Sequence, residues 1–497
     1  MNAALAIIFA TMLLALGLGV LARRGRQMSL EQWTVGGRGF GTVFVFLLSA
    51  GEIYTTFTFL GGSGWAYGRG GPAFYILAYG SLAYVISYWL LPAIWRYATA
   101  ERLHTQPDFF ARKYASPALG TLVALVGVVA LIPYMVLQLK GLGIIVETAA
   151  GGAISRTAAV WIGVAVVTVY VMVSGVHGSA WTSVVKDIVI LVVVAFLGIY
   201  LPGHYYGGWR PMFEAIDMAK PGFLTLPAHG QSIVWFDSTV VLTAIGFYMW
   251  PHATAAVFTA REERVFRRNA VFMPLYQLIL GLVFLVGFAA ILQVPGLKGP
   301  EADLALLKLS LKTFDPWVVG VIGGAGVLTA MVPGSMILMT ASALLANNIV
   351  RVAAPAMSQG AVVWLARLLV PVIGLISVYF TLRGGNTIVA LLLMGYAFVT
   401  QLFPVLIGSL MRRNPVTTPG AIAGILVGVA TVAYLTLTKA TVGTLIPFLP
   451  LPLQDVNVGI VAMVLNLIAL AAVSAVTRSS VSVRAEPSPG GSRHPLP

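Results

Sequence analysis

Six ionisable residues lie within or at the edges of long apolar stretches of this 497-residue sequence. A charged side chain at membrane depth costs a few kcal/mol unless it is paired or hydrated, so such residues mark candidate ion and substrate pathways. The chemistry open to them is the binding and release of a proton, the binding of a cation and the attraction of an anion. The six are Glu52, Lys140, Lys186, Asp187, His252 and Arg367.

Glu52, His252 and Asp187 have two interpretations each. Glu52 lies beside a glycine-rich interruption, where its carboxylate either holds a proton or a cation, or caps the N-terminus of a half-helix. His252 follows the helix breaker Pro251, so its ring either faces a cavity or is a satisfied core histidine. Asp187 either takes part in ion coupling or only neutralises Lys186.

Lys140 ends the stretch PYMVLQLK, in which Tyr134 and Gln138 lie one helical turn apart on one face. Its ammonium either attracts a carboxylate or extends to the membrane interface. Arg367 lies near the start of its span, so we expect its guanidinium to reach the interface.

Composition sets the environment of these residues. The chain is 59% hydrophobic and 9% charged, whereas soluble proteins carry about 25% charged residues. The net charge of +14 comes from basic residues divided among short loops, so we expect no nucleic-acid partner. The absence of cysteine excludes disulfides, thiolate metal sites and cysteine nucleophiles.

Apolar runs long enough to cross a bilayer as helices recur throughout the chain. They predict an all-α polytopic membrane protein of about thirteen transmembrane helices. The first run is expected to be a retained span and not a signal peptide, because no basic region precedes it. The predicted spans are 2–22, 42–64, 72–98, 117–148, 155–174, 178–202, 234–260, 270–294, 316–348, 361–382, 385–411, 418–438 and 456–477.

Loop charges predict the orientation and complete the domain organisation. Basic residues favour an outside N-terminus and an inside C-terminus by about two to one. We expect a peripheral first span with its loop (1–41), a ten-helix transport core (42–411), two peripheral spans (412–477) and a disordered tail (478–497).

Two of the predicted spans are interrupted. The span 42–64 carries several glycines from Gly51 onward, and the span 234–260 carries Gly246 and Pro251. Four spans lie between them, which makes them the first and sixth helices of the core. Transporters with a five-plus-five inverted repeat place their discontinuous helices there. The alternative is that glycine and proline are simply common in membrane helices.

Several stretches resemble the sodium/solute symporter family. They read VGGRGFG at 35–41, FLGGSGWAY at 59–67, PDFFARKY at 107–114 and SGVHGSAWTSVVKD at 174–187. The resemblance implies the inverted-repeat fold of bacterial leucine transporters and cation-coupled symport of a solute. The monocarboxylate-permease branch, which moves acetate, pyruvate and lactate, is the most similar in WTSVVKD, in MWPH at 249–252 and in AMVPGS at 330–335.

The resemblance also implies an ion site that is altered in this chain. Sodium-coupled members read WTDxxQ where this sequence has Ser183 in place of the acid and Lys186 in place of the amide. Their backbone sodium ligands map to Gly51, Tyr54 and Ala330. Their two hydroxyl ligands map to the pair at 333–334, which is Pro-Gly here.

A hard cation needs several oxygen ligands, so these losses weaken a sodium site. A charged lysine fills such a site, and burial favours release of its proton. The predicted ion-coupling residues are therefore Lys186, Asp187, Glu52, Gly51, Tyr54, Ala330 and Ser183.

For the substrate, the resemblance implies Thr58, Gly246 and Tyr396, and nearby aromatic residues indicate a small, partly apolar solute. Gln401 is added because it lies one turn beyond Tyr396. The predicted substrate-binding residues are Thr58, Lys140, Tyr134, Gln138, Gly246, Tyr248, Trp250, His252, Tyr396 and Gln401.

Together these features predict a plasma-membrane (inner-membrane) symporter of a monocarboxylate or an amphoteric carboxylate, driven by protons in preference to sodium. One alternative is a sodium-coupled symporter of an amino acid or a vitamin. A second is a membrane solute sensor acting through a partner. An enzyme is not expected, because only His104 with Asp108 resembles a catalytic pair. We expect no metal or cofactor, and the sequence does not determine the oligomeric state.

Overall fold

The computed structural model describes residues 3–24, 29–51 and 53–478. Glu52 and the tail beyond 478 lie outside the described residues. The described chain is helical, and its one β-bridge joins Phe40 to Ala260. The α-helices of seven or more residues in these ranges are α1 Ala3–Arg23, α2 Thr42–Gly51, α3 Ser63–Arg69, α4 Tyr75–Ala100, α5 Gln106–Lys113, α6 Pro117–Ala149, α7 Arg156–Tyr206, α8 Trp209–Ala219, α9 Ile233–Gly246, α10 Pro251–Phe258, α11 Arg264–Leu278, α12 Leu280–Gln293, α13 Ala305–Thr313, α14 Pro316–Ala343, α15 Gln359–Arg383, α16 Ile388–Val399, α17 Phe403–Leu410, α18 Thr418–Thr438 and α19 Val458–Arg478.

Within the described ranges, eleven helices are long and apolar enough to cross a membrane. A further pair, Ile233–Met249 and Pro251–Phe258, is bent by 50°. The short apolar helix α2 is separated from α3 by a turn and a π-helix, Phe57–Gly62. The two interrupted spans thus coincide with the two that the sequence predicts. The total of thirteen and the orientation stay predictions.

The first break is stabilised by its own side chains. Residues 53–55 form a turn, and the Thr58 hydroxyl donates to the Ile53 carbonyl at 2.7 Å and to the Thr55 carbonyl at 3.1 Å. The Thr58 hydroxyl thus ties the turn to the π-helix that follows it.

The second break is centred on Trp250, whose backbone is extended (φ −66°, ψ 127°). Pro251 causes this, because its ring disfavours a helical conformation at the preceding residue and it has no N–H to donate. The Thr254 hydroxyl donates to the Tyr248 carbonyl at 3.0 Å, replacing part of the lost bonding.

The long helix α7 is kinked at Gly175, whose φ of 55° is left-handed. A side chain is also excluded there, because a Cβ would lie 2.4 Å from Cδ1 of Trp33. The kink divides α7 into the two spans Arg156–Val173 and Gly175–Tyr206. The second of these carries Lys186, so its direction positions the ion-coupling candidate.

Burial separates the centre of the molecule from its periphery. In the span Pro316–Ala353, which begins with α14, 94% of the most apolar segment is buried inside the protein. The corresponding shares are 39% in α18 and 28% in α19. The last two helices pack mainly on each other at the edge, while α14 lies at the centre, beside α6 and α7.

Candidate transport site

The structure brings Lys186 to the first helix break. Its side chain is fully buried, and its Nζ lies 2.8 Å from Oδ1 of Asp187. The same Nζ donates to the Tyr54 carbonyl at 3.3 Å. A Cβ added to Gly51 would lie 3.5 Å from it. Four predicted ion-coupling residues, two on α7 and two at the break, therefore meet at one point.

Ser183 lies beside the same point, since a Cβ at Gly51 would be 3.8 Å from its Oγ. Its hydroxyl is occupied locally, donating to the Ser179 carbonyl at 2.8 Å. Oγ of Ser179 in turn lies 2.7 Å from Oγ of Ser335. The serines therefore link α7 to α14. Ser335 was not among the predicted site residues, although it is the last residue of the stretch AMVPGS that supplied Ala330.

The region of α14 that carries Ala330 is completely buried. A Cβ at Gly334 would lie 3.6 Å from Met135 and 3.8 Å from Gln138, both on α6. Gly334 therefore faces α6. The three atoms nearest to a Cβ at Gly334 belong to Met135 and Gln138 and not to Lys186.

An aromatic cluster surrounds the second break. The Trp250 ring centroid lies 4.9 Å from Tyr134, 5.7 Å from His252 and 5.3 Å from Tyr396. Tyr134 and His252 are themselves 5.2 Å apart. Tyr79, which sequence reasoning missed, adds an edge contact to Tyr396 at 5.7 Å. Four predicted substrate residues therefore form one contiguous, buried surface.

Gln138 lies one turn beyond Tyr134 on α6 and is fully buried. Among the described residues, neither atom of its amide has a hydrogen-bond partner. A buried polar group without a partner costs about 1–3 kcal/mol. Such a group is expected where a bound ligand or water completes the hydrogen bonding.

Three further predicted substrate-binding residues, Thr58, Gly246 and Tyr248, lie at or beside the two helix breaks. The Thr58 hydroxyl is occupied by the first break, as described above. Gly246 permits close helix approach, because a Cβ there would lie 2.1 Å from Oγ1 of Thr400 and 3.1 Å from Tyr396. Tyr248 is buried in the second break, with its ring 4.9 Å from that of Phe247.

Lys140 is engaged away from this cluster. Its Nζ lies 2.6 Å from Oδ2 of Asp303 and donates to the Asn386 carbonyl at 2.8 Å. Asp303 also accepts the Ile388 N–H at 3.1 Å. Sequence reasoning missed Asp303, which lies in a loop that carried no motif.

Gln401 also points elsewhere. Its Nε2 donates to the Gly459 carbonyl at 3.2 Å, and Asn466 donates to its backbone carbonyl at 2.8 Å. Both partners lie on α19. Gln401 therefore fastens the core to the peripheral helices instead of joining the aromatic cluster.

The pair His104 and Asp108 has a structural role in α5. Oδ2 of Asp108 accepts the N–H groups of His104 and Thr105 at 3.1 and 2.9 Å, which caps the first turn.

Comparison with known proteins gives the family. The model of the sodium:solute symporter family matches residues 33–428. The chain is 65% identical to the uncharacterized symporter YhjB of Bacillus subtilis (strain 168), over 98% of this chain and 99% of that protein. It is 28% identical to the monocarboxylate transport permease protein of Rhizobium johnstonii, over 86% and 87% of the two chains.

A solved structure shares the fold. The substrate-bound, outward-open structure of a Na⁺-coupled sialic acid symporter has a TM-score of 0.77 to this chain at 14% identity, covering 96% of this chain and 98% of that one. The fold is therefore of the leucine-transporter type, as the broken spans and the resemblance predict. Both the family and the fold are those of transporters and not of enzymes. The chain belongs to the sodium:solute symporter family and is a multi-pass plasma-membrane protein that couples a solute to a cation.

Proposed function

We propose that this symporter moves a small monocarboxylate or amphoteric carboxylate and that protons drive it, with Lys186 occupying the place of the coupling cation. The observation that carries the proposal is the contact of Lys186 Nζ with the Tyr54 carbonyl at the first break. In the sodium-coupled relatives, the resemblance assigns that carbonyl to the ion.

The burial of Lys186 makes it suited to coupling. A charged lysine in a dry site is stabilised only by its partners, here the Asp187 carboxylate and the Tyr54 carbonyl. Loss of its proton removes the bridge between α7 and the first break. The protonated form holds the break against α7, and proton release toward the cytoplasm, through Asp187 or Glu52, frees the break to move.

The aromatic cluster and Gln138 support the substrate class. The unpartnered amide of Gln138 supplies an N–H donor to a carboxylate oxygen. The rings of Trp250, Tyr134 and Tyr396 supply an apolar wall for a short carbon chain. The relative from Rhizobium johnstonii, named as a monocarboxylate transport permease, has the same substrate class.

Sodium coupling is the second candidate. The name of the family and the Na⁺-coupled sialic acid symporter favour it. In that case the Lys186–Asp187 pair is static and the cation binds elsewhere.

Substrate class is tested by uptake of radiolabelled pyruvate into proteoliposomes under an inward proton gradient, with protein-free liposomes as the control. We expect saturable uptake that lactate and acetate inhibit and a neutral sugar does not. Saturable transport of a neutral sugar, without competition from these acids, contradicts the assignment.

A further inference from the structure

The short helix α5, between α4 and α6, reaches the second break. Gln106, its first residue, is buried, and its Nε2 donates to the Met249 carbonyl at 2.9 Å. The same Nε2 lies 3.2 Å from Oγ1 of Thr254. Thr254 in turn donates to the Tyr248 carbonyl. One side chain from outside the broken helix thus supplies hydrogen bonds that the break itself lacks.

One of the groups that accept from Gln106, the Met249 carbonyl, lies next to a residue of the candidate substrate site. Met249 precedes Trp250, whose ring contacts Tyr134 and Tyr396. A buried carbonyl without a donor is unfavourable, so the position of the Met249 carbonyl depends on Gln106. The backbone direction at 249–250, and with it the Trp250 ring, therefore depends on a residue of α5.

The other side of α5 is bound to the end of α14. Oδ1 of Asp108 accepts from Nδ2 of Asn348 at 2.6 Å and from Nδ2 of Asn347 at 3.3 Å. The Thr105 hydroxyl donates to Oδ1 of Asn348 at 2.9 Å. Both asparagines belong to the π-helix Leu344–Val350. The first turn of α5 thus connects this π-helix to the second break.

We propose that Gln106 is a positioning residue of the transport cycle. It holds the second break in its substrate-binding geometry and ties that geometry to the end of α14. A movement of the end of α14 together with α5 then changes the orientation of Trp250. The inference rests on the proposed substrate site at the second break, and its kinetic test also rests on the proposed carboxylate substrate.

The kinetic test compares Gln106→Ala with Gln106→Glu in pyruvate uptake, each normalised to wild type at the same pH. Gln106→Ala removes the donor, and we expect a rise in KM of about tenfold, from one lost hydrogen bond to a buried acceptor. An ionised Gln106→Glu side chain cannot donate, whereas its protonated form can. The deficit of Gln106→Glu should therefore shrink as the pH falls from 8 to 5, while that of Gln106→Ala stays constant.

A second test needs no substrate, because the native chain has no cysteine. Ala253→Cys places a thiol in α10 at a buried position, and Ala421→Cys places one at a buried position of α18. Adding Gln106→Ala should raise the rate of N-ethylmaleimide labelling about tenfold at 253 and leave it unchanged at 421, since only the break loses a hydrogen bond. Hydrogen exchange of 247–258 in Gln106→Ala without cysteines measures the same opening if Ala253→Cys does not fold.

Unchanged labelling and unchanged exchange at the break overturn the inference, and so do equal increases at 253 and 421, which indicate general destabilisation. If the break opens selectively but pyruvate is not transported, the positioning role stands and the proposed substrate falls.

Discussion

In the part of the chain that the structure describes, two lysine–carboxylate pairs with little exposure differ in what they join. Lys186 and Asp187 are consecutive residues of α7, with 0% and 6% of their side chains exposed. Lys140 on α6 and Asp303 in the loop before α13 are 163 residues apart, with 13% and 2% exposed. The first pair connects no separate elements, whereas the second fastens a loop to the helix bundle.

The difference shows that burial of a lysine does not by itself define its role. Lys140 and Asp303 are surrounded by further fixed partners, the Asn386 carbonyl and the Ile388 N–H, as expected of a permanent contact between α6, the loop and α16. Lys186 has a carboxylate beside it and one carbonyl of a helix break. In the proposed mechanism, loss of its proton changes the contact between α7 and the first break.

The largest effect is expected from Lys186. Lys186→Ala should lower proton-driven accumulation of pyruvate at least about tenfold, because the coupling proton loses its carrier. Lys186→Arg should also fail, since a guanidinium keeps the charge but does not release a proton. Steady-state accumulation in proteoliposomes measures both. Lys140→Ala is the matched control and should retain a clear accumulation ratio; full accumulation by Lys186→Ala would remove the distinction between the pairs.

The second effect concerns the pair of Lys140 and Asp303. Breaking a buried pair leaves one uncompensated charge and costs about 3–5 kcal/mol. Lys140→Gln and Asp303→Asn should each lower the melting temperature and the uptake rate, and the double variant should be less damaged than either single one. Thermal unfolding in detergent and uptake rates provide the comparison.

The same variants test whether Lys140 binds the substrate. If it does, Asp303→Asn frees the ammonium and lowers the KM for pyruvate. A fastening role predicts the opposite, a KM that is unchanged or raised.

Substitution of Gln138 should have a smaller effect. It should raise the stability of the protein and weaken its affinity for the substrate. Gln138→Leu removes a buried amide without a partner, so we expect the free energy of unfolding to rise by about 1 kcal/mol. The KM for pyruvate should rise about tenfold, because a hydrogen bond to the carboxylate is lost. A variant that is both less stable and unaltered in KM would show that Gln138 only packs.

The smallest effect on transport is expected from a cysteine introduced in the C-terminal tail to report the orientation of the protein in the membrane. Ser488→Cys should leave transport unchanged and resist an impermeant maleimide in intact cells, since loop charges predict a cytoplasmic tail. Rapid labelling from outside would reverse the topology. It would then place the fastened loop at Asp303 on the cytoplasmic side, opposite to our account.

Local chemistry made part of this architecture predictable. Pro251 disfavours a helical conformation at Trp250 and has no N–H to donate, and the second break lies where the sequence predicts it. The meeting of Lys186 with Gly51 and Tyr54 was predicted only by the resemblance in short motifs, because Lys186 lies 132 positions from Tyr54 in the sequence.

Contacts set by long-range packing could not be predicted. Asp303 lies in a loop without periodicity, and its approach to Lys140 depends on how that loop folds over the helices. Gln401 was assigned to the substrate by helical spacing alone, but its buried amide donates to the Gly459 carbonyl of α19. Thr58 was assigned to the substrate by resemblance, yet its hydroxyl satisfies the carbonyls of its own break.

The most direct test of proton coupling through Lys186 imposes the proton and sodium gradients separately on proteoliposomes of wild type and Lys186→Ala. We predict that wild type accumulates pyruvate under an inward proton gradient in sodium-free buffer, that a sodium gradient at equal pH drives nothing, and that Lys186→Ala accumulates nothing under either. Accumulation by wild type that requires the sodium gradient would contradict proton coupling through Lys186.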